Sequence, residues 1–379
     1  MTRPLRVGLN AIFLEPGMGG LGTYVLELVP ALLRVAPELR LTVLANERGR
    51  GLLAAQAWAG DVTIDVPPVM TRRGLRAAGE LTVLGALASR RFDVLHSAAL
   101  TAPLATRAAN VVVLADTTWL TMPDMGKGQA ATVRLWQAAV PIVARRADRV
   151  IAISEAGAGP VREHLHMDPA RIDVVPLGYS PRPRAAATPE AELREKLQLG
   201  DGPIVLNVAM KKVHKNQRRI VQALPRIREA VPGARLVLAG APTPYEAELA
   251  AEARSLGLGD VVTQPGYVDD ADLEGLYAAA SVFVFPSLNE GFGLPVLEAM
   301  GRGLPVVTSD RSALPEVAGD AALLVDPESV EAIAGATIRA IADAPTRERL
   351  TAAGRARPAA FTWERAALET VASWERARG

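Results

Sequence analysis

Cysteine is absent from the 379 residues, which removes disulfides, thiolate nucleophiles and thiolate-bound metals. Aromatic residues are scarce at 4%, which argues against an RNA surface built on base stacking. The net charge is +1, so the chain lacks the positive excess of a general nucleic-acid binder. No apolar run nears the roughly 20 residues that a membrane-spanning helix needs. Residues 1–6 lead straight into a strand-like segment without the apolar core of a signal peptide, so a cytoplasmic setting is expected. Lysine is also rare. There are five against 37 arginines, and three of the five are Lys211, Lys212 and Lys215. That loop reads either as a solvated run or as a phosphate site using compact ammonium charges.

What is present supports two large cores. The hydrophobic fraction is 49%, and the length exceeds one ordinary domain. Short β-branched runs alternate with amphipathic stretches, the pattern of an α/β chain with doubly wound parallel sheets. Strands are expected near 6–10, 41–45, 62–66, 93–96, 111–115, 149–153 and 172–175. A second series follows near 204–208, 235–239, 261–263, 281–285, 305–308 and 322–325. Helices are expected between them, among them 23–34, 130–146, 217–230, 271–279, 295–301 and 330–344. The Pro-, Arg- and Ala-rich stretch 176–187 reads as a linker. The expected domains are 1–180 and 181–360, with a last helix in 361–379. Two such sheets place a ligand cleft between domains, at the carboxyl ends of the strands.

The strongest chemical signal is the run from Ser287 to Met300, which holds Glu290, Gly291, Phe292, Gly293, Leu294 and Glu298. A glycine-rich loop feeding a helix is an anion site, because unpaired amides and the helix dipole favour negative charge there. Pro295 suits the first helical turn. Two acids beside an anion site fit a ligand that carries hydroxyls as well as phosphates, and a sugar nucleotide is such a ligand. Lys215 lies after the first strand of the second series, where a fixed cation would stabilise a departing diphosphate.

Other motifs leave alternatives open. Gly17, Gly19 and Gly22 satisfy G-x-G-x-x-G, with Glu47 as a ribose acid, so a nicotinamide site is a competing reading. The preferred reading is a loop whose backbone approaches phosphate or sugar. Asp270 and Asp272 form a D-x-D pattern, which reads as helix capping before it reads as a metal site. The four histidines form no metal set, and His96 reads as a packing residue. Residues 71–91 place five arginines around an apolar stretch. This reads as a solvated amphipathic helix or as a peripheral membrane contact.

Together these residues resemble the retaining GT-B glycosyltransferases of family GT4, with Glu290 and Glu298 as the E-x7-E signature. The resemblance continues through Gly303–Val307, Leu314–Asp320, Arg171–Gly178, Ile151–Ser154 and Gly19–Tyr24, so it spans nearly the whole chain. It implies two Rossmann-like domains and a last helix that crosses back to the first. It implies metal-independent transfer of a hexose, with no cofactor beyond the nucleoside-diphosphate sugar donor. GDP-mannose is the favoured donor, with UDP-sugars as alternatives. By the same resemblance Glu290 and Lys215 are catalytic, and Glu298 holds the ribose. The backbone of Gly291, Phe292, Gly293 and Leu294 holds sugar and diphosphate, Val268 reads the base, and Gly20 and Gly22 approach the phosphate. Asp116 is a further expected substrate-binding residue. The chain has Ala209-Met210 where many members have Gly-Arg or Gly-Thr, so Lys211 or Lys212 is the expected replacement cation. It has Ala115 where many have His. The acceptor stays open, with glycans and lipid-linked molecules in view. A non-catalytic relative, a nucleotide-sugar isomerase and a nicotinamide oxidoreductase are the competing functions.

Overall fold

Valine-, isoleucine- and leucine-rich runs form strands because branched side chains pack well on a pleated surface, and strands covered on both faces need no polar alternation. A computed structural model describes residues 3–67, 76–115, 117–121, 130–181 and 185–379. Among these, thirteen strands form two parallel sheets.

The first sheet contains β1 (Arg6–Asn10), β2 (Arg40–Leu44), β3 (Thr63–Asp65), β4 (Val94–Ser97), β5 (Ala109–Leu114), β6 (Arg149–Ala152) and β7 (Ile172–Val174). Its order is β3-β2-β1-β4-β5-β6-β7. The second contains β8 (Ile204–Val208), β9 (Arg235–Ala239), β10 (Val262–Gly266), β11 (Val282–Phe285), β12 (Val306–Ser309) and β13 (Leu323–Val325), in the order β10-β9-β8-β11-β12-β13. Every strand of the two series expected from sequence is present. β10 runs on through Pro265, which an edge strand tolerates because one side of it needs no ladder donor.

The chain divides into two units, residues 1–178 with 361–379 and residues 179–360. In the first, Val112, Leu114, Val143, Val150 and Val161 are fully or almost fully buried in one cluster, and Leu44, Leu84, Ala88 and Leu95 in another. The last helix, Trp363–Arg378, belongs to this unit and packs on helix Gly20–Val35. Its Trp363 sits so close to Gly178 that a Cβ there would lie 2.4 Å from the Trp363 nitrogen. Its Trp374 Nε1 donates to His96 Nδ1 at 3.1 Å, and Ser373 Oγ donates to Asp173 Oδ2 at 2.6 Å. In the second unit, Val205, Ile220, Leu224, Leu236, Val284 and Ile333 build the core.

The 71–91 stretch forms two short helices, Arg76–Leu81 and Val83–Arg91, and its first five residues lie outside the described set. Leu84 and Ala88 face the protein core. Among the described residues, no helix is long and apolar enough to cross a membrane.

Candidate functional site

In the second sheet the chain order reverses between β8 and β11. β9 follows β8 to one side, and β12 follows β11 to the other. At such a reversal the loops leaving the carboxyl ends diverge and open a crevice. The loop after β8 carries Lys211, Lys212 and Lys215. The loop after β11 carries Glu290 and ends at Gly293.

Backbone and amide bonds stitch these two loops to each other and to the loop after β13. The Leu288 N–H donates to the His214 carbonyl at 2.8 Å. Asn216 Nδ2 donates to the carbonyls of Pro286 at 2.8 Å and Pro327 at 2.7 Å. Asn216 is buried and left-handed, at φ 59°, a conformation that asparagine tolerates better than most residues. Lys215 is thereby aimed across the crevice. Its ammonium donates to Glu290 Oε1 at 2.7 Å and Oε2 at 2.8 Å and lies 5.6 Å from the Phe285 ring centroid. The Lys215 side chain is 20% exposed and that of Glu290 11%, so the pair is mostly shielded from solvent. The Glu290 N–H donates to Ser312 Oγ at 3.0 Å, which ties in the loop after β12.

Glu290 leads into helix Leu294–Gly301. Gly293, its N-cap, has φ 122°, and a Cβ there would lie 2.8 Å from Leu314 Cδ2. Only glycine adopts this backbone easily, and no side chain caps the helix start. Phe292 is buried beside it. The first turn of a helix has no intrahelical partner for its amides, so Gly293 and Leu294 present a positive backbone end. Glu298 is one turn inside the helix, partly exposed, and accepts from Tyr277 Oη at 3.2 Å. Val268 lies in the turn between β10 and helix Asp270–Ala279, partly exposed beside the exposed Tyr267.

Lys211 goes elsewhere. It is fully buried, and its ammonium donates to the Gly240 carbonyl at 2.6 Å and faces Glu246 at 3.9 Å. Burial pulls its pKa down to about 8 against the attraction of Glu246. The structure sets the Lys211 ammonium against Gly240 and Glu246 and does not bring it to Glu290. Asp116 lies outside the described residues. Gly20 and Gly22 fall in the first turn of helix Gly20–Val35, three residues earlier than the sequence pattern placed its start. Gly22 is buried and Gly20 is exposed.

The competing motifs resolve locally. β1 ends at Asn10 and the helix begins at Gly20, so the G-x-G-x-x-G glycines do not close a direct strand–helix turn. Glu47 is exposed on its own helix and pairs with Arg50 at 3.6 Å. Asp269 caps helix Asp270–Ala279 by accepting from the Asp272 N–H at 2.8 Å. Asp272 itself pairs with Lys196 at 2.6 Å. Among the described residues, no group of three or more histidine, aspartate or glutamate side chains gathers as a metal site would. His96 is buried between Tyr24 Oη at 2.9 Å and Trp374. Asn216, Ser312, Tyr277 and Arg302 join the site without an advance signal, since each matters only through what the fold sets against it.

Two family profiles match, one for each half. "Glycosyltransferase Family 4" covers residues 18–182, and "Glycosyl transferases group 1" covers 189–357. The O-antigen chain mannosyltransferase B of Escherichia coli is 39% identical over 110 residues, 29% of each chain. A GDP-mannose-dependent α-(1-6)-phosphatidylinositol monomannoside mannosyltransferase of Mycobacterium tuberculosis is 34% identical over 198 residues, 49% of this chain and 51% of that protein. The matched region thus spans about half or less of the length of these relatives. Anabaena HepE, solved in complex with UDP and glucose, superposes with a TM-score of 0.75 at 20% identity, over 97% of this chain and 98% of that one.

Proposed function

The chain belongs to the GT4-type glycosyltransferases of GT-B fold, and we propose that it moves a hexose from a nucleoside-diphosphate sugar to an acceptor hydroxyl with retention and without a metal. The observation that carries this reading is the Lys215–Glu290 pair at the reversal of the second sheet. A cation there suits a diphosphate, and an acid beside it suits sugar hydroxyls. The positive helix start at Gly293 and Leu294 adds to the phosphate field. Glu298, farther along that helix, suits the ribose diol. Phe292 and Gly293 contribute backbone close enough for a ligand because Gly293 has no side chain. The GDP-mannose dependence in the name of the mycobacterial relative supports GDP-mannose as the donor, and the UDP complex of HepE keeps UDP-sugars as the alternative.

These placements support one course of reaction. The bond between the anomeric carbon and the diphosphate oxygen breaks, and its electron pair leaves with the phosphate. Lys215 and the helix start stabilise that charge. Glu290 stabilises the positive charge left on the anomeric carbon. The acceptor oxygen bonds to that carbon on the face the nucleotide has left, and its proton passes to the departing phosphate oxygen. The backbone at Val268 would read the base.

A thermal-shift screen of GDP-mannose, UDP-glucose and ADP-glucose tests the donor, since a bound ligand raises apparent stability with its concentration. Nucleotide release from the stabilising donor then tests transfer. Normal donor turnover by Glu290→Ala would remove Glu290 from the mechanism.

A further inference from the structure

Glu298 is held from behind by side chains that the proposed transfer does not use. Helix Asp270–Ala279 carries Glu274 and Tyr277, which are three residues apart and share a face. Both are almost fully buried, at 6% and 2% exposure. Tyr277 Oη donates to Glu298 Oε2 at 3.2 Å. Arg302, just past helix Leu294–Gly301, lays its guanidinium 4.7 Å from the centroid of the Tyr277 ring. Its Nε donates to Glu274 Oε2 at 2.7 Å, and a second N–H reaches Glu274 Oε1. Its Nη1 donates to the Glu298 carbonyl at 3.0 Å. Burial would weaken the Arg302 charge, and the Glu274 carboxylate outweighs that effect.

The consequence is mechanical. A glutamate's terminal torsion is broad, so a free carboxylate samples many orientations. Here the backbone of Glu298 is bonded by Arg302 and one carboxylate oxygen by Tyr277, and the tyrosine ring is clamped between the two. Phenylalanine would fill the same volume. The hydroxyl therefore contributes a direction to the carboxylate. We propose that Tyr277, fixed by Arg302 and Glu274, is a positioning residue that presets Glu298 for the ribose diol of the donor nucleotide. This rests on the assignment of Glu298 to the ribose.

The test is calorimetric titration of the 379-residue chain with GDP, UDP and ADP in turn, and with the 2′,3′-dideoxy form of whichever binds. Tyr277→Phe is expected to raise the nucleotide Kd roughly three- to tenfold, the range of one hydrogen bond. Donor KM rises in parallel, kcat at saturating donor stays near wild type, and the melting temperature barely moves. Toward the dideoxy nucleotide the same substitution has no effect, because the carboxylate has no diol to receive. Unchanged affinity in Tyr277→Phe, with weakened binding in Glu298→Gln, would overturn the positioning role and leave Glu298 on the ribose. Unchanged affinity in Glu298→Gln as well, or no binding of any nucleotide, would overturn both. Equal weakening for the ribose and dideoxy forms would mark a packing effect and overturn the proposal.

Discussion

Lys215 and Glu290 stand 75 positions apart, yet the ammonium of one lies 2.7 and 2.8 Å from the two carboxylate oxygens of the other. Their meeting follows from sheet order. β8 and β11 are neighbours, and each residue leaves the carboxyl end of its strand on the next loop. The two charges hold each other in place, so groups suited to phosphate and to sugar hydroxyls stand fixed in one spot.

Removing one member of this pair strands the other in a poorly solvated place. Lys215→Ala and Glu290→Ala are each expected to cost about 1–3 kcal/mol of stability. The double substitution should cost less than the sum, because neither charge is then left alone. Urea unfolding measures the cycle. Donor turnover separates function from stability, since the double variant should be more stable than additivity predicts and stay inactive.

Gly293 is a backbone requirement. Gly293→Ala forces a methyl within 2.8 Å of Leu314 Cδ2 at φ 122°. A loss of about 1–3 kcal/mol is expected from strain, together with weaker nucleotide binding, because the helix start shifts. Unfolding and calorimetric titration of the same variant check both parts.

His96 makes stability depend on pH. Trp374 can only donate, so Nδ1 of His96 accepts and its proton sits on Nε2, facing Tyr24. Burial lowers its pKa to about 3 from 6.5. Between those values the unfolded chain binds a proton that the folded chain refuses. Stability is therefore full above about pH 6.5 and falls as pH drops, by about 1.4 kcal/mol per unit. The difference in slope between wild type and His96→Gln, from pH 7 to pH 5, measures this contribution free of the carboxylates common to both.

Asp173 fastens the last helix. It accepts from Arg149 Nε at 2.9 Å, Ser373 Oγ at 2.6 Å and Arg376 Nη2 at 2.8 Å. Burial alone would raise its pKa, and these donors outweigh that and hold it below the usual carboxylate range. Asp173→Ala leaves Arg149 unpaired where it is 13% exposed, and should cost about 2–4 kcal/mol. Hydrogen exchange should rise first across residues 363–378.

The strands were legible because each is a short β-branched run, and the length of the second series followed from the same rule. Helix starts were less legible. Gly20 and Gly22 read as loop residues, yet the helix takes them into its first turn, since Gly19 supplies the left-handed corner at φ 56° just before. The candidate acids and Lys215 could be named from residue type and position. That Lys215 touches Glu290 could not, because the contact depends on which strands are neighbours. Lys211 shows the reverse case. Its place after Ala209-Met210 and its charge suggested a phosphate contact, while the fold buries its ammonium against the Gly240 carbonyl.

The first unit is interrupted in the chain, with its last helix made after the whole of the second unit. As the polypeptide emerges from the ribosome, His96 and Asp173 must therefore wait for Trp374 and Ser373 through more than half of the synthesis. The second unit, continuous from Tyr179 to Ala360, can close its core during that interval. A stop codon placed shortly before Trp363 would thus spare the half that carries Lys215, Glu290 and Glu298 and leave the other half unfinished.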